Sequence, residues 1–360
     1  MQNGKHYDAL TSLRGGAAWV VVLYHFLNYT PLDFHSTWMF KALSHGALAV
    51  DFFFILSGFV ISLNYSEMFL NFNFNKLVYF ITSRLSRIYP LHIFMLIVFL
   101  LFDLALEIRS KSTIFGNNLN LNYLIMSAFL IQNWGFSKSL GWNVPAWSIS
   151  TEFFCYLSFP ITEKILSTII TTRWAIAAGI AVTLAALASA FTLANANSLT
   201  ENIVHLGLMR CFLEFITGSL LHKWIKINKE PSKNMQLIIL ATSSLFILFC
   251  TECELNDYIY APIIFLAIIY AMTARNTLIS KFLENRTLIH IGTISYSTYM
   301  CHYLLKQIVV LPVKSISTVN WLPFWVYCAS VAAASIVMYP LIEVNSRKWI
   351  HKELDRLKLR

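Results

Sequence analysis

The chain has 360 residues, of which 57% are hydrophobic and only 12% charged, with a formal net charge of +9 and a mean hydropathy of +0.60. An ordinary soluble domain is about 25% charged, and apolar runs long enough to cross a hydrocarbon layer of about 30 Å recur along nearly the whole sequence. Those figures exclude a soluble enzyme, a disulfide scaffold, a nucleic-acid-binding module and an outer-membrane barrel. They predict an all-α, polytopic transmembrane helical bundle.

In chain order the apolar segments are 9–29, 42–64, 89–106, 121–133, 145–166, 174–194, 203–222, 236–252, 258–274, 291–311 and 322–344. The thirteen residues of 121–133 would rise only about 20 Å as a helix, so that segment is read as re-entrant or interfacial. About ten spans remain, with both termini on one side. Charge sets the orientation, because Lys and Arg favour cytoplasmic loops. Lys5, Lys76, Arg84, Arg87, Lys164, Arg173, the lysines of 223–233, Arg275, Lys281, Arg286 and the basic tail share the side of the termini. Only Lys41, Arg109, Lys111, Lys138 and Lys314 face the other way. Both termini are therefore expected in the cytoplasm. The stretch after Lys5 holds Arg14 and lacks a small-residue cleavage site, which reads as a retained helix and not a signal peptide.

Residues 1–346 read as one membrane-embedded domain and 347–360 as a short, basic, solvated tail. The basic residues are scattered between apolar runs, so no nucleic-acid face is expected. Cys250 and Cys253 form a lone CxxC without the second pair that a zinc site normally has, and no metal is expected.

Ionisable side chains inside spans are costly and normally face a protein interior or a wet cavity. Here they are Arg14, His25, Asp51, Glu152, Arg210, Glu214 and His302. Arg14 and His25 are eleven residues apart, which puts them on one helix face about 16 Å apart along the axis. Spans of alternating direction bring Asp51, Glu152 and His302 to a depth similar to that of His25. Arg210 and Glu214, at i and i+4, are read as neutralising each other. Arg84 and Arg87 share a helix face and can chelate phosphate oxygens. A positive-inside anchor is the plainer reading of the same pair.

Taken together, these stretches resemble the acyltransferase-3 family of integral-membrane O-acyltransferases. Tyr7-Asp8-Ala9-Leu10-Thr11-Ser12-Leu13-Arg14-Gly15 is similar to its "lDaLRG" motif, and Arg14 with His25 to its Arg-x10-His pattern. Val50-Asp51-Phe52-Phe53-Phe54-Ile55-Leu56-Ser57-Gly58-Phe59 resembles "vDfFFvlSGF", and Arg84-x-x-Arg87 with Tyr89-Pro90 the RxxR element. Pro145-Ala146-Trp147-Ser148-Ile149-Ser150-Thr151-Glu152 is similar to "WSLsvE", and residues 291–302, ending in His302, to "lG..SYslYl.H".

The resemblance implies transfer of an acyl group, commonly acetyl, to a hydroxyl of a lipid-linked or extracytoplasmic glycan such as lipopolysaccharide O-antigen. The protein would lie in the cell inner membrane. The expected donor is acetyl-CoA, as a substrate and not a tightly bound cofactor, with its phosphates on Arg84 and Arg87 and its arm running past Arg14. The expected base is His25, since His is the commonest proton acceptor near neutral pH. Glu152 or Asp51 would orient its ring. Trp142 and Trp147 would offer a stacking surface for a sugar, and His302 would line the acceptor site. Direct transfer is preferred to an acyl-enzyme, because neither Ser57 nor Ser150 can be paired with a base from sequence. A transporter or flippase of lipid-linked saccharides is the alternative class, although the sequence shows none of the internal repeats frequent in transporters.

Overall fold

The computed structural model describes residues 7–110, 121–253, 255–313 and 320–356; Lys5, Lys111, Lys314 and the tail beyond Arg356 lie outside the described residues. Among the described residues 83% are helical and none forms a strand. In order the helices are α1 (Asp8–Phe26), α2 (Trp38–Ser44), α3 (Ala49–Tyr65), α4 (Phe74–Ser110), α5 (Leu121–Ala128), α6 (Trp147–Ile169), α7 (Arg173–Leu193) and α8 (Ile203–Asn228). They continue with α9 (Lys233–Glu252), α10 (Asp257–Ala271), α11 (Leu278–Leu283), α12 (Arg286–Thr293), α13 (Ser295–Val313), α14 (Leu322–Met338) and α15 (Asn345–Arg356).

Six helical stretches are long and apolar enough to cross a membrane: Asp8–Tyr29, Trp38–Phe69, Phe74–Ile108, Arg173–Leu193, Ile203–Asn228 and Leu322–Arg356. The ten spans expected from hydropathy are not confirmed. Some apolar runs belong to helices too short to count, as at Asp257–Ala271. The run 291–311 is divided between α12 and α13. Conversely, α4 begins well before its apolar run and carries Arg84 and Arg87 within the helix, not in a loop. The segment 121–133 holds only the eight-residue α5, about 12 Å of rise. Leu130 just beyond it takes a positive φ of 59°.

The chain divides into two compact units, each assembled from separated segments: one from the N-terminal residues through Ala17, Leu48–Leu77 and Phe154–Thr293, the other from Ala18–Ala47, Val78–Phe153 and Ile294 onward. The first unit is built on the crossing of α3 and α8. A Cβ on Gly58 would collide with the Phe215 carbonyl, and one on Gly218 with the Ile55 carbonyl. Small residues at a crossing let two backbones touch, which is how helices associate where lipid supplies no hydrophobic drive. Phe52, Ile55, Phe59, Leu221 and Ile225 close the core around that contact.

In the second unit α13 packs against α14. A π-turn at Tyr339–Val344 links α14 to α15. Pro340 explains it, since a proline has no amide to close the regular i→i−4 bond and the ladder must rearrange locally. The helix continues through the boundary that sequence drew at 346/347. Leu354 is buried, and Arg347 is half-buried instead of solvated.

Candidate active site

The second unit brings two of the expected residues into direct contact. The rings of His25 on α1 and His302 on α13 lie with centroids 4.9 Å apart. His25 Nδ1 is 2.9 Å from the Val21 carbonyl oxygen, and His302 Nδ1 is 2.6 Å from that of Tyr299. A carbonyl only accepts, so in both rings Nδ1 carries the proton and donates. In a neutral ring that leaves the lone pair on Nε2, the arrangement a general base requires. His302 is fully buried, and its Nε2 has no hydrogen-bond partner among the described residues. His25 is only half-buried.

Packing fixes this half of α1. Phe26 stacks on Tyr327 at 4.6 Å, and the Tyr327 hydroxyl donates to the Val22 carbonyl at 3.1 Å. Tyr303, one residue past His302, meets the His25 ring edge-on at 5.6 Å. The Lys306 ammonium lies 4.0 Å from the Tyr303 ring centroid. Lys306 is also within electrostatic reach of both imidazoles. Sequence reasoning did not single out Lys306. Its i+4 spacing from His302 was the available signal, since those two residues share a helix face.

Residues 143–148 are laced to α13 immediately before His302. Asn143 Nδ2 donates to the Met300 carbonyl at 3.0 Å, the Tyr299 hydroxyl donates to that of Pro145 at 3.0 Å, and the Ser148 and Tyr299 hydroxyls are 2.9 Å apart. Glu152, half-buried, follows Ser148 by four residues and so shares its α6 face. The His25 ring is oriented at Nδ1 by the Val21 carbonyl. Trp142 and Trp147 are only 3% and 5% exposed. Both indoles are thus enclosed by the surrounding helices and loops.

Arg14 and Asp51 belong to the first unit. Arg14 donates through Nη2 to the Gly292 carbonyl at 2.8 Å, where α1 and α12 touch so closely that a Cβ on Gly292 would meet the Thr11 carbonyl. Asp51 is fully buried and receives a two-pronged contact from Arg210, Nε to Oδ1 at 2.5 Å and Nη2 to Oδ2 at 2.7 Å. Arg210 Nη1 donates to the Leu199 carbonyl at 2.6 Å. The expectation that Arg210 neutralises Glu214 is therefore corrected. Its planar fork takes the carboxylate facing it across the glycine crossing, and Glu214 remains in the field of both partners. The Asp51 carboxylate is committed to Arg210.

Tyr7 opens the N-terminal motif in a structural role. Its hydroxyl donates to Glu230 Oε1 at 2.9 Å, under the Arg275 guanidinium 5.0 Å from its ring. Burial, reinforced by the Glu230 carboxylate, pushes the Tyr7 phenol up to about 12.

Arg84 and Arg87 lie half-buried on α4 in the second unit. Among the described residues no group of three metal-ligating side chains converges.

Fold and site thus define a multi-pass helical membrane protein with an imidazole pair held by backbone carbonyls. The family model described as "Acyltransferase domain" (Acyl_transf_3) matches residues 7–343, and the chain belongs to that acyltransferase-3 family. It is 32% identical to acyltransferase MdmB of Streptomyces mycarofaciens over 180 residues, covering 48% of this chain and 43% of that protein. It is 27% identical to O-acetyltransferase OatA of Staphylococcus aureus over 379 residues, covering 97% of this chain and 58% of OatA. The chain thus spans about half the length of the curated relatives it matches. No solved structure matches it.

Proposed function

We propose that the protein transfers an acyl group, acetyl by preference, from acyl-CoA to a hydroxyl of a lipid-linked or extracytoplasmic glycan in the cell inner membrane. The observation that carries this reading is the His25–His302 pair. An unprotonated Nε2 in a half-buried ring is suited to taking the proton from a sugar hydroxyl, which is a poor nucleophile until deprotonated. The freed oxygen attacks the thioester carbonyl, the carbon–sulfur bond breaks, and the CoA thiolate recovers the proton from the imidazolium. No covalent enzyme intermediate is needed. Lys306, held over Tyr303, supplies positive charge for the oxyanion that forms at the carbonyl. Glu152 assists on the acceptor side. Arg84 and Arg87 hold the phosphates of CoA, and Arg14 lines the path of its arm. Membership in the acyltransferase family and the printed name of the relative OatA support the choice of an O-acyl product.

Mass spectrometry of surface glycans from cells with and without the gene tests this reading. Acetyl mass increments should disappear with the gene and return with the wild-type copy but not with His25→Ala. Unchanged glycans in the deletion strain would reject it.

A further inference from the structure

We propose that Arg347, in the segment expected to be a solvated tail, completes with Arg84 and Arg87 a three-arginine site for the nucleotide phosphates of the acyl-CoA donor. The inference rests on the acyl-CoA reading above and adds a residue that neither sequence nor family membership assigned.

Three observations within the second unit carry it. First, a run of contacts ties the start of α15 to the arginine stretch of α4. The Tyr296 hydroxyl donates to the Ile88 carbonyl at 2.6 Å, one residue past Arg87. Ser297 beside it donates to the buried carboxylate of Glu343, and Arg347 follows Glu343 by one helical turn. Second, Arg84 and Arg87 both lie close enough to act electrostatically on Arg347, with Glu343 the carboxylate that offsets them there. Three guanidiniums thus gather in the neighbourhood of Glu343. Like charges gathered in a partly buried place repel, and an anion with several oxygens removes that cost while accepting planar, two-pronged hydrogen bonds. Third, Arg347 Nε is buried with no hydrogen-bond partner among the described residues, a donor the protein leaves unused. Glu343 lies in the π-turn at Tyr339–Val344 and Arg347 just beyond it, and such turns recur at functional sites.

The test uses the full chain in phosphatidylcholine nanodiscs, titrated with CoA by calorimetry. Arg347→Gln should weaken CoA binding by about tenfold, the scale of one charge-assisted hydrogen bond. Arg347→Lys should fall between it and the wild type, because charge is kept and the fork lost. Arg356→Gln, at an exposed residue on the same helix paired with Glu353, should bind as the wild type does. A lipid phosphate could occupy the same chemistry, so the titration is repeated with phosphatidylglycerol in the disc. Competition by that lipid equal to the loss in Arg347→Gln, with no CoA effect in its absence, would overturn the nucleotide assignment. Wild-type protein that binds no CoA would overturn the acyl-donor reading and this inference together. Loss of binding in Arg84→Gln with full binding in a folded Arg347→Gln would overturn this inference alone.

Discussion

Each unit holds a buried polar cluster, and the two are built on different pairs. In the first, Arg210 and the Asp51 carboxylate satisfy each other and the Leu199 carbonyl takes another guanidinium donor, while the oxygens of the neighbouring buried Glu214 have no hydrogen-bond partner among the described residues. In the second, His25 and His302 each spend Nδ1 on a carbonyl of their own helix, and His302 Nε2 has no partner among the described residues. Buried polar groups are normally satisfied, and an unsatisfied one calls for an explanation such as a catalytic role. The difference separates a charge pair that holds helices together from an imidazole pair that retains capacity for a substrate. Both looked alike in sequence, as ionisable residues within apolar runs.

Four sets of substitutions can break or sharpen that contrast. The largest effect is expected from His25→Ala. It should lower acyl transfer by on the order of a thousandfold or more, within the upper range for losing a general base, while the thermal unfolding midpoint in detergent hardly moves. Activity near wild type would remove His25 from the chemistry.

Asp51→Ala should do the reverse and act on stability. Leaving a buried guanidinium without its partner costs about 3–5 kcal/mol, which should appear as lost monodisperse protein on fluorescence-detected size exclusion. Asp51→Leu combined with Arg210→Met should recover folding, because replacing both partners removes the uncompensated charge. If that folded double variant has no activity at all, the first cluster takes part in catalysis and the contrast fails.

Glu152→Gln should reduce turnover by about a hundredfold, the scale of an acid–base partner, with acyl-CoA binding unchanged. Equal turnover would leave His25 working with backbone and Lys306 alone.

The smallest effect is expected for Arg84→Lys or Arg87→Lys. Each keeps its charge and loses the two-pronged geometry, so acyl-CoA affinity should fall by about three- to tenfold while kcat is retained. Unchanged affinity together with an altered topology, read by cysteine accessibility, would restore the anchor interpretation.

The all-helical, membrane-spanning class was legible in the sequence because apolar runs of bilayer length leave few other folds available. The number of spans was not. Hydropathy reads composition over a window, whereas a helix ends where its backbone hydrogen bonds end, as between α12 and α13 or at the eight-residue α5. Helix α4 runs straight through the arginines that hydropathy had placed in a loop.

Part of the candidate site was also legible. Arg14, His25, Asp51, Glu152 and His302 stood out because ionisable groups are expensive in hydrocarbon, and the motifs gathered them into one family pattern. That cost is local and belongs to each residue by itself, so sequence alone can register it. Pairing is different, because it depends on which helices cross and at what rotation. Gly58 and Gly218 let α3 and α8 approach until Asp51 met Arg210 in place of the i+4 neighbour Glu214. The Val21 carbonyl accepts the hydrogen bond of His25 Nδ1. Arg347, just past a proline-bearing π-turn, lies within electrostatic reach of the arginines of α4. The sequence by itself determined which residues would have to be accounted for inside a membrane. Only the tertiary structure decided which of them satisfy each other and which keep a free valence, because hydrogen-bond partnership is fixed by distances and angles between segments far apart in the chain.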